Sequence, residues 1–226
     1  ESAHSRWSNR IVSHHDFSGS SPNVELIFKR LSSTPATHIK IAIQAKSITD
    51  AIPLWNLLQT ANAAGKHLIP VAMGEAGKWT RILGLAHGAF LTFASPTAGA
   101  ETAPGQISAV DMTNVFRVKQ LDRQTEVFGI VAGDSTYSVS PWMHNAAFTA
   151  ANMNRVFIPL QVSDLDEFMA RMVKPETREV DLNFRGFSLT NPHKQAVIRH
   201  LDGINETAEK IGAVNTVKIE DGKLFG

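Results

Sequence analysis

The chain has 226 residues, 43% of them hydrophobic, and its 22 basic and 21 acidic side chains give a net charge of +1. This balance excludes the strongly positive field with which proteins bind nucleic acid or anionic membranes, and no run of about 18 apolar residues is present to cross a bilayer. We therefore expect neither nucleic acid nor a membrane as a partner. The lack of cysteine excludes disulfides and thiolate catalysis, and it is compatible with a reducing cytoplasm. The first ten residues, ESAHSRWSNR, contain no apolar signal core.

Strands and helices alternate from residue 9 onward, a pattern typical of parallel βαβ units. Ser47 is predicted to cap one helix and Gly65 to end it. Without a dinucleotide-binding signature, this pattern suits part of a (β/α)-barrel at least as well as an open sheet. The sequence predicts strands over 9–17, 38–44, 67–73 and 89–95, and helices over 22–33, 47–65, 77–87 and about 108–118.

A polar segment over 119–125 reads as a linker, after which the alternation restarts. We call residues 1–118 the first block and residues 126–226 the second block. The second block is also α/β, and a turn at Asp221-Gly222-Lys223 predicts a hairpin near its end. In this block the sequence predicts strands over 126–132, 155–161, 186–190 and 213–220, and helices over 140–151, 164–173, from Pro192 onward and over 205–212.

The strand HIKIAIQ carries a lysine where a buried strand would carry an apolar residue. Its three isoleucines share one face of the sheet, and Lys40 lies on the other. One interpretation is a lysine at a barrel rim whose ammonium reaches water. The other is a desolvated amine that attacks a carbonyl and forms a Schiff base. Such an amine needs a proton shuttle, and since His14 and His15 point to opposite faces of the preceding strand, one of them can face it.

Three further polar side chains of the first block could contact a substrate. Arg81, in the segment GEAGKWTR, could clamp a carboxylate. The loop ETAPGQ follows a predicted strand and offers Thr102 and Gln106 as hydrogen-bonding groups.

The segments SHHDF, IKIAIQAKS, PVAMGEAGKWTR, LTFAS and TAPGQIS occur in this order over residues 9–112. In order and spacing they resemble the second half of type I 3-dehydroquinate dehydratase. The resemblance implies a (β/α)8 barrel, here represented by part of its strands, that removes water from 3-dehydroquinate through a lysine imine and needs no cofactor. The residues with which the family orients histidine and substrate in its first barrel half have no counterpart in this sequence.

By this resemblance, Lys40 is the Schiff-base lysine and His15 is the general acid and base. Arg81 is the partner of the substrate carboxylate, and Gln106 is the glutamine of the closing loop. Thr102 stands where the family more often has serine, so the hydroxyl is kept and a methyl group is added.

The second block concentrates hydroxyl, amide and amine groups in three motifs, which suggests a pocket for a polyol. Ser138 and Ser140 lie at a predicted helix start, and Thr190 ends a predicted strand. Asn215 adds an amide, and Lys194 falls in the first turn of a predicted helix, where it could exchange a proton with a reacting hydroxyl.

The motifs S-x-S-P, T-x-P-H-K and A-V-N-T resemble the substrate-binding domain of shikimate dehydrogenase over residues 126–226. The resemblance implies that the two serines, the threonine and the asparagine bind shikimate or 3-dehydroshikimate, and that Lys194 is the catalytic lysine. Two positions depart from the family pattern: Ser188 replaces a common asparagine and Tyr137 a frequent histidine.

The two resemblances are chemically linked, because the dehydratase product is the dehydrogenase substrate. We expect an internal portion of a fused shikimate-pathway enzyme that makes shikimate from 3-dehydroquinate with NADPH. The family's catalytic aspartate and its NADP-binding domain are expected beyond Gly226, since no G-x-G-x-x-G occurs here. The chain by itself is then expected to bind shikimate-like ligands weakly and to transfer no hydride.

Two other functions fit parts of the sequence. The same pair of blocks could be a non-catalytic module that senses quinate or shikimate, although two retained reactive lysines and a histidine argue against it. A class I aldolase would share Lys40 but would leave the second block unexplained. The oligomeric state is not indicated by the sequence.

Overall fold

The computed structural model describes residues 10–19 and 22–226. Residues 1–9, which include most of the segment examined for a signal core and Asn9 of the strand predicted over 9–17, lie outside the described residues. Within the described part the fold is α/β, as expected, with two separate sheets. The strands are β1 (Ile11–Asp16), β2 (His38–Gln44), β3 (His67–Met73), β4 (Glu126–Ala132), β5 (Arg155–Gln161), β6 (Phe184–Leu189), β7 (Thr216–Glu220) and β8 (Lys223–Phe225).

The helices are mostly short, and several continue into tighter or wider turns. Ser47 caps the turn Ile48–Ala51 that leads into the second helix, and Gly65 follows the end of that helix with a positive φ of 63°, so both predicted end signals are confirmed. The helices are α1 (Val24–Ser32), α2 (Ile52–Ala63), α3 (Lys78–Leu83), α4 (Ala109–Asn114), α5 (Ser140–Ala150), α6 (Leu165–Phe168), α7 (His193–Ala196) and α8 (Glu206–Ile211).

The first block contains a three-stranded parallel sheet in the order β1-β2-β3. The isoleucines of β2 are buried in the main core together with apolar side chains of α1 and α2. On the opposite face, Ala42 of β2 packs with Ile69, Val71 and Met73 of β3 in a separate buried cluster. We call this second face the inner face. It also carries Lys40, which lies on the same side of the strand as Ala42.

The second block contains a five-stranded mixed sheet in the order β5-β4-β6-β7-β8. β4 pairs in parallel with β5 and β6, and β7 and β8 add an antiparallel hairpin at the edge, as the turn signal predicts. Because β4 and β6 are parallel neighbours, the loops that follow them leave the sheet at the same edge. These loops contain the predicted serine and threonine groups.

The prediction of a strand over residues 89–95 is wrong. Phe90 donates one hydrogen bond to the carbonyl of Leu68, and Ser95 forms an isolated bridge with Ser108, but no ladder forms between these points. The carbonyl of Phe93 is instead bonded to a side chain, since Arg81 donates to it at 3.4 Å. The apolar alternation of the segment reflects packing on the inner face rather than strand pairing.

Several predicted elements are shorter than expected. The helix near 108–118 ends at Asn114, because Arg117 has a positive φ of 50° and the chain turns back on itself. The strand predicted over 213–220 begins at Thr216, since Val214 and Asn215 bond instead to the backbone of Lys194 and Leu189. The helix predicted over 164–173 is one α-helical turn followed by a π-helical turn at Met169–Val173.

The segment 119–125 is packed against the fold rather than extended through solvent. Leu121 and Thr125 are buried, and the Thr125 hydroxyl donates to Asn154 Oδ1 at 2.7 Å. One apolar core includes side chains of both blocks. In the part of the chain that the structure describes, every helix is too short or too polar to span a bilayer.

Candidate active site

The two histidines of β1 point to opposite faces of the sheet. His15 lies beside Ala42 in the register and shares the inner face with Lys40. His14 faces the other side, where Arg30 donates to its Nδ1 at 3.3 Å. Of the two, His15 is therefore the one that can exchange a proton with a group bound near Lys40.

Lys40 is half-buried, and its amine faces an aromatic ring. The Nζ atom lies 4.2 Å from the centroid of the Phe93 ring. Burial lowers the pKa of Lys40 from its ordinary value, and the positive charge of Arg81 lowers it further. Both effects favour the neutral amine, which is the form that attacks a carbonyl.

His15 is electrostatically coupled to this lysine. The side chain of His15 is mostly exposed. Partial burial is nevertheless the main cause that lowers the pKa of His15, and electrostatic interactions with Lys40 and His14 lower it further. A lowered pKa keeps the ring neutral near neutral pH, so that it can accept a proton.

Arg81 is buried inside the protein rather than lying at its surface. It is 2% exposed and donates to two backbone carbonyls, those of Phe93 at 3.4 Å and Pro104 at 3.5 Å. Its Nε atom has no hydrogen-bond partner among the described residues. Burial lowers the pKa of Arg81 to about 10, so the group still carries a positive charge beside Lys40 at neutral pH.

The loop with Thr102 and Gln106 is folded onto itself. The Gln106 Oε1 atom accepts hydrogen bonds from the Thr102 N–H at 2.7 Å and from its hydroxyl at 3.2 Å. The Pro104 carbonyl accepts from the Gly74 N–H at 3.0 Å, which ties the loop to the end of β3. Gly105 has a positive φ of 70°, and a Cβ atom there would lie 2.2 Å from the Gly74 carbonyl oxygen. The close approach of the two backbones depends on glycine.

In the second block, the loops after β4 and β6 are joined by backbone hydrogen bonds. The Gly133 N–H donates to the Asn191 carbonyl, and the Thr190 N–H donates to the Val131 carbonyl, both at 3.1 Å. Ser138 Oγ accepts from the Ser140 N–H at 3.3 Å. Ser140 begins α5, as predicted. This edge of the sheet therefore carries both predicted serines and the threonine.

Lys194 and Asn215 line one cavity of about 580 Å³. Backbone hydrogen bonds bring their segments together: Val214 donates to the Lys194 carbonyl, and Leu189 donates to the Asn215 carbonyl, both at 2.8 Å. Lys194 is the second residue of a helix that is one turn long. The volume suits a small-molecule ligand.

Ser138 lines a different cavity, of about 160 Å³, together with Gln106 of the first block. The structure thus brings Lys40, His15 and Arg81 within electrostatic reach, and it joins Lys194 with Asn215. It does not bring Ser138 into the cavity of Lys194. Within residues 10–19 and 22–226, no group of three His, Asp or Glu side chains is arranged to hold a metal ion.

Phe93 is the contact that sequence reasoning missed. The sequence pattern of LTFAS predicts a strand and indicates no role for its phenylalanine. A signal was available, since Leu91 and Phe93 are two residues apart and an extended segment sends such residues to the same face. Leu91 does pack against the buried cluster of the inner face.

Comparison with known proteins finds two families in succession along the chain. The family model for type I 3-dehydroquinase matches residues 1–123, which is more than half of the chain. The family model for the substrate-binding domain of shikimate dehydrogenase matches residues 130–217.

One curated relative is named for both families, and others match part of the chain. The chain is 33% identical over 221 residues to the bifunctional 3-dehydroquinate dehydratase/shikimate dehydrogenase, chloroplastic, of Arabidopsis thaliana, covering 96% of this chain and 35% of the relative. It is 43% identical over 103 residues to the shikimate dehydrogenase (NADP(+)) of Alkaliphilus oremlandii, covering 46% of this chain and 34% of the relative. A solved structure of dehydroquinate dehydratase and shikimate dehydrogenase from S. pombe aligns with 27% identity and a TM-score of 0.41, covering 96% of this chain and 40% of that one. The chain spans about a third of the length of the curated relatives that it matches.

Proposed function

This chain belongs to the type I 3-dehydroquinase family, and on that premise we propose that its first block supplies the imine-forming lysine of a dehydratase that acts on 3-dehydroquinate. The second block binds the product, 3-dehydroshikimate, or its reduced form, shikimate. The observation that carries the proposal is the setting of Lys40, an amine on an apolar sheet face with Arg81 as its charged neighbour and His15 on the same face.

The proposed dehydration begins with attack of the neutral Lys40 amine on the substrate carbonyl carbon. The carbonyl oxygen leaves as water and a protonated imine remains, which withdraws electrons from the adjacent carbon. His15 takes a proton from that carbon and returns a proton to the departing hydroxyl, so that one further water is lost. Hydrolysis of the imine then consumes one water, releases the enone product and restores the amine. The net reaction is the loss of one water from the substrate.

Arg81, Thr102 and Gln106 are proposed to hold the substrate. The guanidinium supplies positive charge for a carboxylate, and its Nε–H has no partner among the described residues. The amide nitrogen of Gln106 is free to donate, because its oxygen accepts both hydrogen bonds from Thr102. A substrate that draws Thr102 or Gln106 toward Lys40 would have to exchange this bond, which suits a loop that closes on its ligand.

In the second block, Ser138, Ser140, Thr190 and Asn215 are proposed to bind the hydroxyls and carboxylate of shikimate. Lys194 is proposed to exchange a proton with the hydroxyl that is oxidised or formed. Support comes from the shared cavity of Lys194 and Asn215 and from the hydrogen-bonded loops that carry the other three groups.

We propose NADPH as the source of the hydride, because relatives that match the second block are named shikimate dehydrogenase (NADP(+)). Bound NADPH supplies the hydride that reduces a carbonyl. The 226 residues contain no G-x-G-x-x-G loop, so none of them is assigned to the cofactor. The role proposed for this chain's own residues is substrate binding and proton transfer.

Intact-mass spectrometry after incubation with 3-dehydroquinate and borohydride tests the dehydratase proposal. Borohydride reduces a protonated imine to a stable amine, so we expect a single adduct on the unmodified chain and none on Lys40→Ala. The matched control is Lys46→Ala, which removes an exposed lysine six positions further along the same segment and should keep the adduct.

An adduct that persists in Lys40→Ala would show that another amine reacts, and the proposal would be wrong. Isothermal titration with shikimate tests the second block separately. Thr190→Ala should weaken binding, whereas Ser163→Ala, an exposed serine outside the three motifs, should not.

A further inference from the structure

We propose that Phe93 is a positioning residue for the imine-forming lysine, with its ring face holding the Lys40 nitrogen at the substrate side of the sheet. This inference rests on the dehydratase function proposed above and adds a residue to it. The Nζ atom lies 4.2 Å from the ring centroid, inside the range of about 6 Å over which an aromatic face attracts a cation.

The position of the ring is set by Arg81. Residues 91–94 have no strand ladder, so the usual backbone restraint of a barrel strand is lacking there. The guanidinium of Arg81 donates to the Phe93 carbonyl at 3.4 Å, and the Thr92 hydroxyl donates to the Arg81 carbonyl at 3.2 Å. One buried arginine thus holds the aromatic residue while its charge also acts on Lys40.

Two opposite effects meet at the Lys40 nitrogen. Burial and the charge of Arg81 disfavour the ammonium and lower the pKa of Lys40. The ring favours the ammonium, because the face of an aromatic ring is electron-rich. The other titratable group that faces the amine is His15 of β1, whereas the neighbouring inner-face positions of β3 are apolar. Phe93 therefore limits how strongly this site activates the amine.

The ring can stabilise the lysine nitrogen in two charged states, the ammonium and the protonated imine. Overall, an ammonium and a carbonyl become a protonated imine and one water: the nitrogen gives up two protons, the carbonyl oxygen takes them, and the positive charge stays on nitrogen. The same nitrogen is thus a cation before and after imine formation, and it is neutral only while the C–N bond forms. A ring face at this nitrogen stabilises both cationic states and keeps the atom in one place.

Competitive acetylation of the full chain with acetic anhydride, read by peptide mass spectrometry, tests the inference without substrate. Acetic anhydride reacts with the free amine, so labelling at a fixed neutral pH reports the neutral fraction of each lysine. Phe93→Leu and Phe93→Met keep an apolar side chain without a ring. In both variants Lys40 labelling should rise about two- to fivefold, because the ammonium loses a cation–π contact and a larger fraction of the amine is then neutral.

Three comparisons make the result specific. Phe93→Tyr keeps the ring and should restore labelling of Lys40 to the unmodified level. Phe90→Leu removes the other phenylalanine of the segment, whose ring packs on His38 and His67, and should leave Lys40 unchanged. Exposed Lys46 reports on the same peptide region in every variant.

Unchanged or reduced labelling of Lys40 in both ringless variants would overturn the inference. So would an equal rise at Lys46 or in Phe90→Leu, because the effect would then not be specific to the ring over Lys40. No dehydroquinate is used in this measurement. A negative acetylation result would therefore contradict only the role of Phe93. A negative result in the borohydride trapping experiment would contradict the proposed dehydratase function itself.

Discussion

The two blocks place their lysines in different surroundings. Lys40 lies within a strand, and its surroundings are an aromatic ring and a buried guanidinium. Lys194 lies in a one-turn helix and lines an open cavity of about 580 Å³. The first block therefore shapes the chemistry of an amine through burial and charge. In the second block, Lys194 and Asn215 line a cavity whose volume suits a small molecule.

The means by which each block supports its site differ as well. In the first block the loop of Gln106 rests on a backbone contact between Gly105 and Gly74. In the second block α5, which begins at Ser140, is attached to β5 through the side chain of Asn145. One site depends on glycine geometry, and the other depends on a buried amide.

Removing the buried amide should have the largest effect on stability. Asn145 is 1% exposed; its Nδ2 donates to the Phe157 carbonyl and its Oδ1 accepts from the Phe157 N–H, both at 2.8 Å. Asn145→Ala leaves both buried backbone groups without partners and should lower the free energy of unfolding by about 3 kcal/mol. Urea denaturation measures this. Met143→Ala, an exposed change on the same helix, should stay close to the unmodified value, and equal losses in both would refute the anchoring role.

Adding a methyl group at Gly105 should have the next largest effect on stability. Its Cβ atom would meet the Gly74 carbonyl oxygen at 2.2 Å, and φ is positive at 70°, so Gly105→Ala should cost about 2 kcal/mol or more. Gly99→Ala is the control, since φ is 82° there but nothing lies within 4 Å, and about 1 kcal/mol is expected. Thermal unfolding compares the two. Similar losses would mean that backbone conformation matters and the contact with Gly74 does not.

The lysine of the second block should matter for ligand binding and not for imine formation. Lys194→Ala should weaken shikimate binding about tenfold, which is about 1.4 kcal/mol, as measured by isothermal titration. Adduct formation at Lys40 with 3-dehydroquinate and borohydride should persist. Lys218 lines the same cavity and is paired with Glu220, so Lys218→Ala serves as the control. An equal loss in the control would indicate that general positive charge, not Lys194, attracts the ligand.

The charge of Arg81 should be visible as a pH effect on Lys40. Because Arg81 lowers the pKa of Lys40, its removal raises that pKa and reduces the free-amine fraction below it. In the Phe93→Leu background, where the ring that Arg81 holds is absent from both proteins, Arg81→Met should therefore slow acetylation of Lys40 roughly threefold at neutral pH, and the difference should disappear at high pH, where the amine is neutral in both proteins.

Arg30→Met is the matched control for this experiment, since Arg30 lies on the other face of the sheet beside His14. It should leave the pH profile of Lys40 unchanged. Faster labelling in Arg81→Met would contradict the proposed electrostatic role.

A surface ion pair should give the smallest effect. Lys210 and Glu206 pair one helical turn apart, with side chains 73% and 78% exposed. Lys210→Ala should change the free energy of unfolding by about 0.5 kcal/mol or less, since exposed pairs are screened by water and salt. A loss as large as that of Asn145→Ala, measured by the same denaturation, would mean that the second block is held at its surface and not through its buried amide.

Much of the fold follows from local patterns. The limits of β2, β3, β4 and β5 match the predicted strands, because each is a continuous apolar or alternating run ended by polar or glycine residues. The segment 89–95 has the same composition and forms no strand. Its Phe93 carbonyl accepts a hydrogen bond from Arg81, a residue outside the segment, and no local pattern contains that information.

The candidate site divides in the same way. The period of two along a strand is enough to put His15 and Lys40 on one face, since side chains alternate whatever the fold around them. The family patterns predict roles for both residues and for the motifs of the second block. Tertiary structure decided that Arg81 is buried, that Phe93 faces Lys40, and that Ser138 lines a cavity with Gln106 instead of Lys194. These are contacts between segments far apart in the chain, and they depend on how the segments pack, which strand periodicity and local motifs do not specify.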